Sequence, residues 1–167
     1  QEDPITEAIE AKAYDSNIQI PMIVTAYRTP SIKSRDSKTL DMISTYLSDG
    51  NSSKLYRKVV DEKKMALEVG AINLSLEDHS MYIIYGLPLG ETSLESIISE
   101  IDEEVVKIQE DLISEKDYQK LQNKFETNFV DSNSSVEGIA NSLAEYYAFY
   151  KDTNLINSEI EIYRSIS

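Results

Sequence analysis

The chain has 167 residues and no cysteine, and 30 acidic side chains against 16 basic ones give it a net charge of −14 at pH 7. This length fits one domain with a core large enough to fold without staples, and the missing cysteines exclude disulfides, thiolate zinc sites and cysteine nucleophiles. The acidic balance argues against binding to nucleic acid, and no apolar run approaches the roughly 20 residues of a membrane span.

The first half of the chain carries the strand signals. Alternating apolar residues predict a strand from Ile18 to Arg28, and because both of its faces are largely apolar, we expect it to be an inner strand. A helix follows from about Arg35 to Asp49. Two further strands, Ala66 to Leu76 and Met81 to Leu87, are joined by a polar link of hairpin length. This half therefore predicts a small sheet with a helical connection.

The second half is predicted to be helical. Thr92 and Glu95 form a capping box before a long helix whose apolar stripe extends to Leu112. Ser114 opens a second helix, and a break at 131–134 precedes a third. The apolar stripe of the third helix comprises Val136, Ile139, Leu143, Tyr146, Tyr147 and Tyr150, and a short last helix holds Ile160 and Tyr163. This order predicts an α+β fold, an antiparallel or mixed β-sheet with helices packed on one face.

The segment between the first helix and the second strand has the most specific local pattern. Gly50 follows the last apolar residue of the helix, where a residue able to take positive φ ends a helix without a Cβ penalty. We expect Asn51 and Ser52 to cap the next helix through their side-chain oxygens. The buried stripe of that helix consists of Leu55, Tyr56, Val59 and Val60.

The residues offer little chemistry of their own. The single histidine, His79, stands in the predicted hairpin, and one histidine cannot build the two-histidine face of a zinc hydrolase. The acidic clusters Asp61-Glu62 and Glu100 to Glu104 are interpreted as solvated helix faces, some of whose members pair with lysines. The candidate lysines are Lys63, Lys64 and Lys107. We expect no metal site and no catalytic residue here, so the isolated chain is not a complete enzyme.

The segment 50–56, Gly-Asn-Ser-Ser-Lys-Leu-Tyr, resembles the G-x-S-S-R-L-[YF] signature of the C-terminal domain in the pitrilysin/insulinase family of zinc metallopeptidases. The motif residues Gly50, Ser52, Ser53, Leu55 and Tyr56 are expected to be structural. The segment 110–118 resembles the start of a long helix in that family, G-[VI]-[ST]-x-x-E-L, with Asp and Tyr in place of the usual Gly and Leu. The closing segment 162–167 resembles the boundary Y-x-x-[IV]-[ST].

The resemblance implies a domain similar to those of mitochondrial processing peptidase and its relatives, in which the zinc lies on an inverted His-x-x-Glu-His helix of an N-terminal domain. No such helix occurs in this sequence, so the resemblance implies the zinc-free, inactive domain. The zinc is then expected in a partner domain, and 1–167 is expected to be a single non-catalytic domain cut from a longer multi-domain chain.

Some zinc-free domains of this family contribute an Arg and, seven residues later, a Tyr that contact substrate near the metal. Aligning the pattern L-[FY]-x-x-[IL]-R-x-x-x-x-L-A-Y-x-V with 55–69 puts Val60 at the Arg position and Leu67 at the Tyr position. Neither side chain can donate a hydrogen bond to a substrate carbonyl or a developing oxyanion. We therefore expect this contribution to be absent here.

The function implied by the resemblance is to help form the closed peptide-binding chamber of a zinc metalloendopeptidase. The expected partners are an N-terminal zinc-binding domain, a second half of the same chain or a partner subunit, and a peptide substrate. The alternative is a scaffold or binding subunit of the same fold without peptidase activity, because a fold alone does not prove an activity. The expected location is the bacterial periplasm or cell envelope.

Overall fold

A computed structural model describes residues 5–166, so residues 1–4 and 167 of the predicted domain lie outside the described part. Three strands, β1 (Ile23–Thr29), β2 (Ala66–Leu74) and β3 (Ser80–Pro88), form an antiparallel sheet in the order β1-β3-β2. The helices are α1 (Arg35–Ser48), α2 (Leu94–Glu110), α3 (Glu115–Ser132), α4 (Val136–Tyr150) and α5 (Glu159–Arg164), with a π-helix at Tyr56–Glu62 and a 3₁₀ turn at Thr153–Asn157.

The main core lies between one face of the sheet and the elements α1, α2 and the π-helix. Its fully buried members include Leu47 from α1, Ile84 from β3 and Ile97 from α2. Successive residues of a strand point to opposite faces of the sheet, so this core uses only one face of each strand. The predicted α+β fold, with helices on one face of an antiparallel sheet, is confirmed.

The first strand is shorter than predicted and lies elsewhere in the sheet. Residues 18–22 are not part of a strand, and β1 begins at Ile23. Within the described residues β1 is an edge strand, because the hairpin of β2 and β3 places β3 in the centre. The expectation of an inner strand was therefore wrong. Both faces of β1 carry apolar residues, but one of these faces is not covered by another described element, since Val24 remains about half exposed.

Serine side chains cap four of the helices. The hydroxyls of Ser34, Ser93, Ser114 and Ser135 each accept a hydrogen bond from a backbone N–H in the first turn of the helix that follows. The capping box predicted at Thr92 was one residue out of register, because the Thr92 hydroxyl instead donates to the carbonyl of Leu89 at 2.8 Å. These caps satisfy backbone donors that lack partners inside the helix.

A second, smaller core joins α1 to the C-terminal helices. Met42, Leu121 and Ile166 are buried there, and the rings of Phe125 and Tyr163 stack at 4.6 Å between centroids. The second face of α1 is thus covered by α3 and α5. The fold is a sheet, a middle layer containing α1, and an outer layer of helices.

A buried polar cluster fixes α5 against α1. Lys38 Nζ lies 2.7 Å from Glu159 Oε1, and the hydroxyl of Tyr146 donates to the same carboxylate. The hydroxyl of Tyr163 donates to Asp41 Oδ2 at 3.2 Å. Burial alone would lower the pKa of Lys38, but the neighbouring tyrosines and Glu159 raise it, so this lysine stays charged. A charge that is paired and hydrogen-bonded can be buried in this way.

Four apolar residues predicted to lie in buried helical stripes are exposed. Leu112 follows the end of α2 and is exposed, as are Val136, Ile139 and Tyr147 of α4. Tyr146, next to Tyr147 in the same helix, is buried as predicted. The predicted helix α4 is present, but its buried apolar stripe is narrower than predicted because α4 packs against few other elements.

Candidate functional site

The turn after α1 has the conformation that the sequence predicted. Gly50 has a φ of +77° and directly follows Asp49, the C-cap residue of α1. The backbone N–H of Ser53 donates to the carbonyl of Gly50 at 3.0 Å and closes the turn. The prediction of a helix end with positive φ at Gly50 is confirmed.

The motif residues after Gly50 have different environments. Leu55 is fully buried in the main core, Ser53 is buried and Tyr56 is half-buried. Ser52 is exposed, and its hydroxyl accepts a hydrogen bond from Lys120 Nζ of α3 at 2.7 Å. The next helix has no side-chain cap hydrogen bond, so the predicted capping by Asn51 and Ser52 was wrong. Ser52 instead connects the turn to α3.

The helix that follows the turn is wound more widely than an α-helix. It is a π-helix over Tyr56–Glu62, and its last turn is closed by a hydrogen bond from the N–H of Lys63 to the carbonyl of Lys58 at 3.0 Å. Lys64 then takes a φ of +51° before β2 begins. The winding buries Val59 completely and directs the side chain of Lys58 toward α2. Such segments are rare and frequently occur at functional sites.

Val60 and Leu67 lie on either side of the end of the π-helix. Val60 is half-buried and packs against the main core. Leu67 is 49% exposed and occupies an irregularity of the β2–β3 pairing between Ala66 and Glu68. Both side chains are apolar, so neither can polarise a substrate carbonyl.

The described residues contain no group of three or more histidine, cysteine, aspartate or glutamate side chains that could hold a metal ion. His79 is exposed in the hairpin between β2 and β3. A catalytic zinc site takes three protein ligands, and no such set occurs in residues 5–166.

The acidic cluster of α2 is only partly the solvated face that was predicted, because Asp102 and Glu103 are exposed but the other two glutamates are not. Glu104 is only 8% exposed, and Lys58 Nζ lies 3.0 Å from Glu100 Oε2, 2.7 Å from Glu103 Oε2 and 3.1 Å from Glu104 Oε1. The hydrogen bonds to these glutamates outweigh desolvation and raise the pKa of Lys58.

The predicted lysine partners of this cluster are present in two of three cases. Lys63 pairs with Glu100, and Lys107 pairs with Glu104 at 2.6 Å. The hydrogen bond from Lys63 holds the pKa of Glu100 below its usual value. Burial opposes ionisation of Glu104, but its lysine partners also hold the pKa of this carboxyl low. The cluster joins the π-helix to α2 and is structural.

The sheet face opposite the helices is largely apolar, with Arg28 and Glu68 as charged members, and no described element covers it. Directly paired residues share a face, and the pairs Val24↔Tyr85, Ile72↔Ile83 and Leu74↔Met81 all belong to the open one. Val24, Ile72, Leu74 and Met81 are between 40% and 48% exposed. We refer to these four residues, with Ile83, Tyr85 and Leu87, as the open sheet face. The sequence alone did not predict this open face, although the apolar residues on both faces of β1 were its signal.

A family model described as the peptidase M16 inactive domain matches residues 2–125 of the chain. The chain belongs to this family. The predicted resemblance to the zinc-free, inactive domain of zinc metallopeptidases is thereby confirmed. Membership agrees with the sheet and helix arrangement described above.

Relatives of this M16 inactive domain are found among bacterial zinc proteases. The zinc protease PqqE of Helicobacter pylori is 24% identical over 136 residues, which cover 81% of this chain and 31% of that protein. The crystal structure of a protease from Helicobacter pylori is similar with a TM-score of 0.84 and 21% identity, covering 92% of this chain and 37% of that one. The chain thus spans about a third of the length of these two proteins.

A third relative is close to this domain in size. The crystal structure of a putative zinc protease from Bordetella pertussis Tohama I is similar with a TM-score of 0.77 and 19% identity, covering 89% of this chain and 81% of that one. Identities at this level show that the fold is shared. None of the described helices is long and apolar enough to cross a membrane.

Proposed function

We propose that this chain is the non-catalytic domain of a zinc metalloendopeptidase and helps to form its closed peptide-binding chamber, with the metal site on another domain or subunit. The open sheet face is the observation that carries this proposal. Monomeric proteins rarely leave a large contiguous apolar patch exposed, and such a patch marks an interaction surface. The family to which the chain belongs supplies the chemical class of the partner.

The proposed occupant of the open sheet face is the zinc-bearing N-terminal domain of the same parent protein. This chain covers only 31% and 37% of the two Helicobacter proteins described above, which supports a parent with further domains. We propose that residues 1–167 form one such domain, with a second half of the parent or a partner subunit completing the chamber. The peptide substrate then lies between domains, and the zinc and its activated water come from the partner.

The role of this domain in the reaction is positional. Val60 and Leu67 occupy the positions at which active cross-chamber domains carry Arg and Tyr, and neither can stabilise charge on the substrate. Enclosing and orienting a peptide beside a metal can still supply a large part of a rate enhancement, because the reacting groups are held in place. We therefore expect the domain to be required for turnover although it touches no reacting atom.

The experiment places a charge on the open sheet face of the full-length parent. Ile72→Asp and Met81→Asp should each reduce peptide cleavage by about ten-fold or more, because a carboxylate buried in an apolar interface without a partner costs several kcal/mol. The same substitutions should lower the melting midpoint of the 167-residue chain by only about 2–4 °C, because aspartate in a strand costs about 1 kcal/mol and both side chains are partly exposed there. Leu112→Asp, at a 99% exposed apolar residue away from the face, is the matched control and should leave cleavage unchanged.

Full cleavage by the Ile72→Asp and Met81→Asp parents would contradict the proposed interface. A correctly folded parent that lacks this domain and still cleaves peptides at the full rate would favour the alternative, a scaffold or binding subunit of the same fold. Calorimetric titration tests the metal assignment separately. Stoichiometric micromolar zinc binding by the 167-residue chain would contradict a metal site on another domain.

We also propose that the parent acts in the bacterial periplasm or cell envelope. The relatives described above come from bacteria, which supports the first part of this assignment. Cell fractionation of the source organism with an antibody against the chain tests it. Recovery of the parent in the cytoplasmic fraction alone would contradict the assignment.

A further inference from the structure

A small cleft lies where the end of α1, the following turn and the first half of α3 meet. Its lining includes Ser52, Ser53 and Lys54 of the turn and Lys120 and Lys124 of α3, and its volume is about 40 Å³. A cavity of this size holds a few water-sized groups. Residues from both sides of the cleft are already in contact, because Lys120 donates to the hydroxyl of Ser52.

The charge of the cleft is opposite to that of the protein as a whole. Three ammonium groups line it in a chain whose net charge is −14. Lys54 Nζ lies 3.2 Å from Asp117 Oδ2, and Lys124 pairs with Asp49. Burial opposes ionisation of Asp117, but the hydrogen bond from Lys54 outweighs it and lowers the pKa of the carboxyl. Two of the three lysines therefore have carboxylate partners.

Lys120 is the third lysine; in the described part of the chain its ammonium donates a hydrogen bond to a neutral hydroxyl, and its charge acts on Asp117, the partner of Lys54, without forming an ion pair. The lining thus carries one positive charge more than its carboxylates balance. An anion with a single negative charge would complete the balance. Hydrogen bonds between charged partners are shorter and stronger than neutral ones. An anionic acceptor, in place of the Ser52 hydroxyl or in addition to it, would therefore stabilise the Lys120 ammonium.

The hydroxyl of Ser53 is a second donor at the cleft. Ser53 is 5% exposed, and its Oγ has no hydrogen-bond partner among the described residues. Its backbone is already used, because its N–H donates to Gly50 and its carbonyl accepts from the N–H of Arg57 at 3.1 Å. Buried hydroxyls are normally hydrogen-bonded, and an exception calls for an explanation. A ligand that accepts hydrogen bonds would provide one.

We propose that this cleft binds a carboxylate group, which accepts hydrogen bonds from the hydroxyl of Ser53 and the ammonium of Lys120. A carboxylate matches the single excess positive charge and the small volume, whereas phosphate is larger and carries up to two charges near neutral pH. The carboxylate belongs either to a small organic acid or to an acidic side chain on a polypeptide. This site does not depend on the proposed role in a peptidase chamber, because all of its donors belong to this chain.

The test is an NMR titration of the 167-residue chain with sodium acetate at constant ionic strength, following backbone amides. We expect saturable shifts concentrated at Ser52, Ser53 and Lys120. Lys120→Gln and Ser53→Ala should each weaken binding by about five-fold or more, as expected when a hydrogen bond to a charged group is lost. Lys116→Gln removes the same charge from an exposed position of α3 and should change the affinity less than two-fold, which is about 0.4 kcal/mol.

Three results would overturn the proposal. The first is a shift that stays linear with acetate or is equally weakened by Lys116→Gln, since either would indicate general screening of charge. The second is saturable binding of inorganic phosphate without binding of acetate. The third is an unchanged acetate affinity in both Lys120→Gln and Ser53→Ala. A parallel titration with N-acetyl-aspartyl amide, which has a single carboxylate, identifies the kind of molecule that carries the bound carboxylate. Binding of both probes indicates an acidic side chain of a polypeptide, and binding of acetate alone indicates a small organic acid.

Discussion

Replacement of Lys58 by methionine tests the ionic cluster between the π-helix and α2. The Lys58 side chain is 14% exposed and contacts three glutamates, of which Glu104 is buried. Removing one partner of a buried ion pair destabilises a protein by about 3–5 kcal/mol. Here Glu100 keeps Lys63 and Glu104 keeps Lys107, so we expect a smaller loss of about 2–3 kcal/mol in the free energy of unfolding at pH 7.

The loss should depend on pH in a definite direction. In the folded protein the pKa values of Glu100 and Glu104 are lowered. Their pairing therefore stabilises the fold fully above the unfolded-state carboxyl pKa of about 4.3, and this stabilisation disappears as the pH falls through the lower folded-state values. The difference between wild-type protein and Lys58→Met should shrink as these carboxyls become protonated, because a neutral glutamate no longer needs the lysine.

Urea unfolding followed by circular dichroism at several pH values between about 7 and 3 measures this difference. Lys107→Met is the control, since Lys107 is mostly exposed and its pair with Glu104 should contribute at most about 1 kcal/mol. The additional change Glu104→Gln in the Lys58→Met background should restore part of the stability, because it removes a buried charge without a strong partner. A difference that stays constant across this pH range would refute the reasoning.

Three further substitutions test the turns and are measured by urea midpoints. Gly50→Val should lose about 1 kcal/mol or more through its positive φ, since no atom crowds the Cβ position, and an unchanged midpoint would show that φ is not constrained there. Gly138→Ala should lose about 1–3 kcal/mol, because its Cβ would approach the carbonyl of Ser132; wild-type stability would mean that α4 shifts freely. Ser52→Ala should lose less than about 0.5 kcal/mol, because the hydroxyl bonds exposed Lys120 and caps no helix, and a loss above about 1 kcal/mol would restore the cap interpretation.

The predictions that succeeded rest on short-range rules. Gly50 follows the end of α1 with the predicted positive φ. This prediction succeeded because a residue's tolerance of positive φ depends on its own side chain and not on distant contacts. The hairpin of β2 and β3 follows from two apolar runs with a short polar link. Ser114 was identified as a helix start because its hydroxyl needs only a backbone N–H three residues later, which Asp117 supplies.

Two of the predictions that failed depended on contacts between distant parts of the chain. Ser52 has every local property of a cap, but its hydroxyl is taken by Lys120, 68 positions later. Glu104 looks like one more exposed acid on a helix, but Lys58, from a separate element, reaches it and keeps it buried and charged. No window of local sequence contains either partner, so neither pairing could be derived from spacing.

The sequence by itself determined the order of strands and helices, the turn at Gly50 and the motif that indicated the family, because these depend on neighbours within a few residues. Only the tertiary structure decided that β1 lies at the edge of the sheet, that one apolar sheet face is open, and that the lysines of α3 face the turn at Ser52 and Ser53. The physical reason is that periodicity shows that a face is apolar or charged but not what covers it. Which element packs there is fixed by long-range chain topology.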